Sequence, residues 1–136
     1  MLAFNNKLKQ KVFSYFKSDK KVVLTTLSAD LNNSGSPYKI VKIKHHNGIY
    51  LDVFKFISKE KIYQKVDSIK LKYKHDGFYK FGKEATNLFT TDLNNDGILE
   101  IIAPTHTPQL KPHLNIVNLN PKTNLLEFSQ QTLFNF

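Results

Sequence analysis

The 136-residue chain predicts an all-β fold of two four-stranded antiparallel repeats, and three observations carry that prediction. Apolar residues alternate with polar ones over short segments, as where Ile69, Leu71 and Tyr73 interleave with Lys70, Lys72 and Lys74. That period of two belongs to half-buried strands, and it places the three apolar side chains on a core face and the lysines in solvent. The chain is 40% hydrophobic with 11 Phe and 6 Tyr, which favours strands over helices and excludes a disordered chain. Residues 27–35 also align with 89–97 at an offset of 62, pairing Leu27 with Phe89, Asp30 with Asp92, Asn32 with Asn94 and Gly35 with Gly97.

A second match, 51–56 against 114–119, falls at almost the same offset and fixes two repeats over about 22–83 and 84–136 within one domain, 1–136. In the first repeat the pattern predicts strands over 22–29, 38–44, 49–57 and 63–74. In the second it predicts strands over 85–91, 99–103, 113–118 and 125–133. Turns are expected at Asn47-Gly48, at His75-Asp76-Gly77 and at Asn120-Pro121, where Gly or Asn tolerates positive φ and Pro fixes it. Four strands per repeat is the arithmetic of a β-propeller blade. Residues 1–21 read as a cap: Phe4, Leu8, Val12, Tyr15 and Phe16 share one face of a short helix over 5–17. A strand over 11–16 is the competing reading of that segment.

The net charge of +9 is unevenly spread, with 18 Lys against 7 acids in 1–84 and 2 Lys against 4 in 85–136, which gives +11 and −2. All 20 basic residues are Lys. The absence of Arg removes the forked donor that reads phosphate and guanine edges, so specific nucleic-acid readout is not expected, while clustered lysines leave general attraction to a polyanion open. There is no cysteine, hence no disulfide framework, thiolate metal site or cysteine nucleophile. The longest apolar run falls far short of the roughly 18 to 20 residues of a membrane span. Lys7, Lys9 and Lys11 interrupt any secretory core near the start, so no signal peptide is read in the chain.

The chemistry lies in one loop. Asp92, Asn94, Asp96 and Glu100 place oxygen ligands at positions 1, 3, 5 and 9, Gly97 permits the sharp turn, and the carbonyl of Ile98 can turn inward at position 7. Several oxygens close together suit a hard cation such as Ca²⁺, and three carboxylates in so short a turn repel one another unless a cation offsets them. An EF-hand needs an acid at position 12, where this loop has Ala103 and continues as a strand. The plainer alternative is an Asx-rich turn without metal. The first loop, Asp30, Asn32, Ser34 and Gly35, has Tyr38 at position 9 and one carboxylate, so weak binding or none is expected there.

No nucleophile with a base, no carboxylate pair and no His-rich shell is visible, so a non-catalytic protein is expected. His45 and His46 are read as pointing to opposite faces, and His106 and His113 match no zinc spacing.

Phe81-Gly82, the loop from Asp92 to Glu100, and the apolar run Ile101-Ile102-Ala103-Pro104 resemble the FG-GAP or VCBS repeat of integrin-α-type β-propellers. The likeness covers 81–104 well and reaches the first repeat only through its degenerate loop. It implies calcium-stiffened blades at a cell surface, outside the cell or in a periplasm, serving recognition of a protein or glycan. Two blades cannot close a ring, so the resemblance implies a fragment of a larger propeller, a homo-oligomer or an open sandwich.

Overall fold

The structure, a computed structural model, describes residues 20–129. The expected helix over 5–17 and the end of the last expected strand lie outside them.

Every regular element among the described residues is a β-strand, so the protein is all-β. β1 (Val22–Ala29), β2 (Tyr38–His45), β3 (Gly48–Ile57) and β4 (Ile62–Lys70) form an antiparallel meander in chain order. β5 (His75–Asp76) then crosses to a second sheet, while β6 (Tyr79–Phe81) and β7 (Glu84–Thr86) pair as a separate hairpin that turns at Gly82, φ +53°. β8 (Phe89–Thr91), β9 (Glu100–His106), β10 (Pro112–Leu119) and β11 (Leu126–Phe128) complete the second sheet as another antiparallel meander.

Three expectations are corrected. The tight turn after β2 consists of His46 and Asn47, both at positive φ, and Gly48 already pairs with His45 as the first residue of β3. His75 and Asp76 are extended rather than in a turn, because they pair with His106 and Thr105. β4 stops at Lys70; Leu71 is buried, but Tyr73 has φ +70° and is exposed, so the alternation ends before it reaches the core.

The chain is handed from one sheet to the other at Leu71 and Lys72. Leu71 donates its N–H to Ile49 O at 2.8 Å, the last bond to the first sheet. Lys72 is then gripped by the second sheet: its N–H donates to Asn115 Oδ1 at 3.0 Å and its carbonyl accepts from Thr105 Oγ1 at 2.6 Å. Asn115 and Thr105 are both buried, and Asn115 Nδ2 donates to Ala103 O and Thr105 Oγ1, each at 2.9 Å. Side chains thus satisfy the backbone groups that no ladder pairs at the crossing.

The sheets pack face to face. Leu27, Leu31, Ile40, Leu51 and Val53 of the first meet Ile101, Ala103, Val117, Leu119 and Leu126 of the second. A second apolar cluster lies on the far side of the second sheet and contains Ile102, Leu114 and Ile116 with Phe89 and Leu93 packed against them. Residues aligned at the offset of 62 or 63 therefore divide between the clusters. Leu27, Leu31, Ile40, Leu51 and Val53 lie in the first, and their counterparts Phe89, Leu93, Ile102, Leu114 and Ile116 in the second.

One cation is enclosed between the sheets. Lys42 has no solvent exposure, and its Nζ donates to Pro104 O at 2.6 Å and Asn87 O at 2.7 Å and pairs with Asp76 Oδ1 at 2.6 Å. Three acceptors match the three N–H donors of an ammonium group. Asn87 Nδ2 holds the other Asp76 oxygen at 3.0 Å, and Thr25 Oγ1 hydrogen-bonds Asn87 Oδ1. Burial lowers the Lys42 pKa, against the hydrogen bond and charge of Asp76.

Candidate metal centre

The loop between β8 and β9 is shaped by its own aspartates. Asp92 Oδ1 accepts from Asp96 N at 3.1 Å and Oδ2 from Gly97 N at 2.8 Å, while Asp96 Oδ1 accepts from Ile98 N at 2.9 Å. Those bonds require left-handed backbone at Asn95, φ +59°, and Gly97, φ +83°. Asn and Gly are the residues that adopt it at least cost.

Glu100, the first residue of β9, is buried and closes the loop from below, its Oε2 accepting from Leu93 N at 2.9 Å. Oxygens of Asp92, Asp96 and Glu100 all lie within 4.8 Å of one another. Asn94 is exposed in the same turn and Ile98 half-buried at its end. Among the described residues no lysine ion pair reaches these carboxylates.

The electrostatics divide the acids. Burial pushes the Glu100 carboxyl above its usual range; hydrogen bonds from Leu93 and its own N–H oppose that rise, and the charges of Asp96 and Asp92 add to it. At Asp92 desolvation also acts upward, but the N–H groups of Gly97, Asp96 and Asn95 outweigh it and hold the carboxyl below its usual value. Three converging carboxylates, one pushed toward protonation by its burial and less by the charges of the other two, fit a hard divalent cation whose charge opposes both effects.

The loop between β1 and β2 follows the same course. Asp30 accepts from Ser34 N at 3.0 Å and Gly35 N at 2.7 Å, with Asn33 at φ +56° and Gly35 at +86°. Its chemistry differs. Tyr38 stands where Glu100 stands in the other loop, is buried, and accepts from Asn32 Nδ2 at 3.2 Å, so no second carboxylate closes the loop. Leu99 N donates to Leu31 O at 3.0 Å and joins one loop to the other.

No family model matches this chain. A comparison with characterised proteins finds no relative either. The reading of the site therefore stands on its geometry.

Of the histidines, His45 and His46 are not on opposite faces as expected: His46 lies in the turn, outside strand alternation, and the two rings are 4.1 Å apart. His113 packs edge-on against Tyr73 at 5.4 Å, while His106 stacks on His75 at 5.0 Å. Sequence reasoning missed that His75–His106 pair and the enclosed Lys42. The pair joins residues 31 apart in the chain, which no spacing rule connects, whereas Lys42 shares the two-residue period of the core residues Tyr38 and Ile40.

Proposed function

We propose that this protein is a non-catalytic calcium-binding module of the FG-GAP or VCBS kind, serving recognition of a protein or glycan at a cell surface or outside the cell. The carrying observation is the convergence of Asp92, Asp96 and buried Glu100 within 4.8 Å. In this reading Asn94 and the carbonyl of Ile98 complete the oxygen set, and the Asp30 loop is a structural turn. The ion supplies positive charge and fixes the loop that leads into β9; it takes part in no reaction.

The division of aligned residues between two apolar clusters favours a blade-like repeat. If 22–83 and 84–136 are copies of one unit, the same face of each points the same way, so the units stack head to tail. Head-to-tail contacts leave two unlike outer faces and close only in a ring of several members, which is how blades of a propeller pack.

Titration calorimetry of the full chain with Ca²⁺ tests the reading. One site is expected, with a dissociation constant on the order of 10⁻⁴ to 10⁻³ M as in extracellular calcium modules. Asp96→Asn is expected to abolish the heat and Asp30→Asn to leave it. No heat in the wild type leaves the loop a plain Asx turn and overturns the proposal.

One observation favours a second reading, a polyanion-binding module. Lys39 and Lys65 lie on the outer face of the first sheet, with Lys39 Nζ 5.5 Å over the Tyr63 ring, and Asp52 is the acid facing Lys65 at 3.4 Å. Heparin retention that falls steeply with salt and ignores Ca²⁺ supports this reading over the first.

A further inference from the structure

We propose that His75 and His106 form a second metal site, a two-imidazole chelate for a borderline divalent cation of the Zn²⁺, Ni²⁺ or Cu²⁺ class. Nothing in the calcium reading requires it. The residues are directly opposite each other on β5 and β9, so their side chains leave the same face of the sheet from neighbouring positions. Their rings are parallel to within 10°, with centroids 5.0 Å apart. An ion lies in the plane of each imidazole that ligates it, so binding replaces the stack: the rings turn about their side-chain torsions until one nitrogen of each faces a shared ion at the usual metal–nitrogen distance of about 2.0 to 2.1 Å.

The second observation is the state of the His106 ring. Its Nδ1 lies 2.7 Å from Thr107 O. A carbonyl oxygen only accepts, so Nδ1 is the donor, and in the neutral ring the lone pair is on Nε2. An imidazole that donates one N–H to a backbone carbonyl while offering the other nitrogen is the arrangement found around ligating histidines, where the outer bond fixes tautomer and ring orientation. Both histidines are half-buried, so a hydrated ion reaches them without opening the core. Among the described residues no third His, Cys, Asp or Glu converges with them, so water would fill the remaining positions around an ion. His113 is excluded, because it pairs with Thr105 and leaves the opposite face of the sheet.

Such an ion clamps a two-residue strand. The ladder between β5 and β9 consists of the His75–His106 and Asp76–Thr105 pairs, and Asp76 is the partner of Lys42. A chelate across the first pair therefore braces the joint between the sheets. Imidazole suits Zn²⁺, Ni²⁺ and Cu²⁺ and has little affinity for Ca²⁺, so the two sites divide the metals by ligand softness.

The test measures the melting temperature of the metal-stripped full chain near neutral pH with Zn²⁺. The temperature is expected to rise, and to lose that rise in His75→Gln and in His106→Gln separately. Asp96→Asn and the paired change His45→Gln with His46→Gln are expected to retain it, which separates this site from the calcium loop and from the other two histidines. A rise that survives His75→Gln or His106→Gln, or no rise in the wild type, overturns the proposal. Should either variant fail to fold, substoichiometric Cu²⁺ added to the wild type decides: selective broadening of the His75 and His106 ring resonances supports the chelate, and unbroadened rings overturn it.

Discussion

The backbone N–H of Leu99 donates to the carbonyl oxygen of Leu31 at 3.0 Å, so the two aspartate loops are physically joined. Leu99 lies between Ile98 and Glu100, two proposed ligands, and an ion held there fixes the donor of that bond. Calcium at ten to a hundred times its dissociation constant stabilises a state that alone binds it by roughly 1.4 to 2.7 kcal/mol. Exchange of the Leu99 amide is therefore expected to slow by about 10- to 100-fold on adding Ca²⁺, if it exchanges through the same opening. Hydrogen-exchange NMR checks this, with Asp96→Asn as the variant in which no slowing is expected.

Glu100 and Asp92 contribute to the pH response of the metal-free protein with opposite signs, and the Glu100 part is the one a single substitution isolates. The folded-state carboxyl of Glu100 binds a proton more tightly than in the unfolded chain, so its contribution to stability is full below the ordinary value of 4.5 and is lost as pH rises through the raised folded value. Glu100→Gln is expected to melt above the wild type at neutral pH without Ca²⁺, and the gap is expected to close as the wild-type carboxyl protonates. A Glu100→Gln variant that melts below the wild type at neutral pH contradicts the cost of burying that charge beside two others. With Ca²⁺ the order reverses, because the variant has lost a ligand.

Lys42 and Asp76 form the enclosed ion pair. Removing one member of a buried pair costs roughly 3 to 5 kcal/mol, and Asp76 retains 21% exposure, so Lys42→Met is expected near the lower end of that range. Adding Asp76→Asn to Lys42→Met is expected to recover part of the loss, since the stranded charge is gone. Urea denaturation of the two single variants and the double variant measures the coupling.

Gly77, the residue after β5, lies tight against the backbone of β9. A Cβ there meets Thr105 O at 2.8 Å and two further Thr105 backbone atoms within 3.0 Å, none of which can rotate away. Gly77→Ala is expected to cost about 1 to 3 kcal/mol, in the range of overpacking a tight contact. Chemical denaturation checks the cost, and loss of His75–His106 cross-peaks in NMR locates it at β5.

Much of the fold was legible because strand alternation and turn residues are local signals. β1 spans 22–29 as expected, β2 and β3 differ from expectation by one residue at one end, and β10 by one residue at each end. The expected strand over 85–91 divides into β7 and β8, and 63–74 ends at Lys70, where long-range bonds override the local pattern: Asn115 and Thr105 seize Lys72 from a sheet that is distant in sequence. The carboxylate cluster was legible for the opposite reason, since its three acids lie within nine consecutive residues, Asp92 to Glu100. His75 with His106, and Lys42 with Asp76, join residues more than thirty apart. Periodicity holds no information about such pairs until the register of the sheets is known.

The enclosure of Lys42 also bears on what it costs to bring the two sheets together. The first meander places Lys42 beside Ile40 on the face that becomes the core, and until the second sheet arrives that ammonium is hydrated. Docking must strip this water before Asn87, Pro104 and Asp76 are all in place, so the step carries a desolvation barrier that apolar contacts alone do not impose. Two of the three replacement partners, Asn87 and Pro104, are backbone carbonyls whose positions depend on β8 and β9 being formed. The ammonium is therefore matched by its three partners only once β8 and β9 are formed and the two sheets are docked.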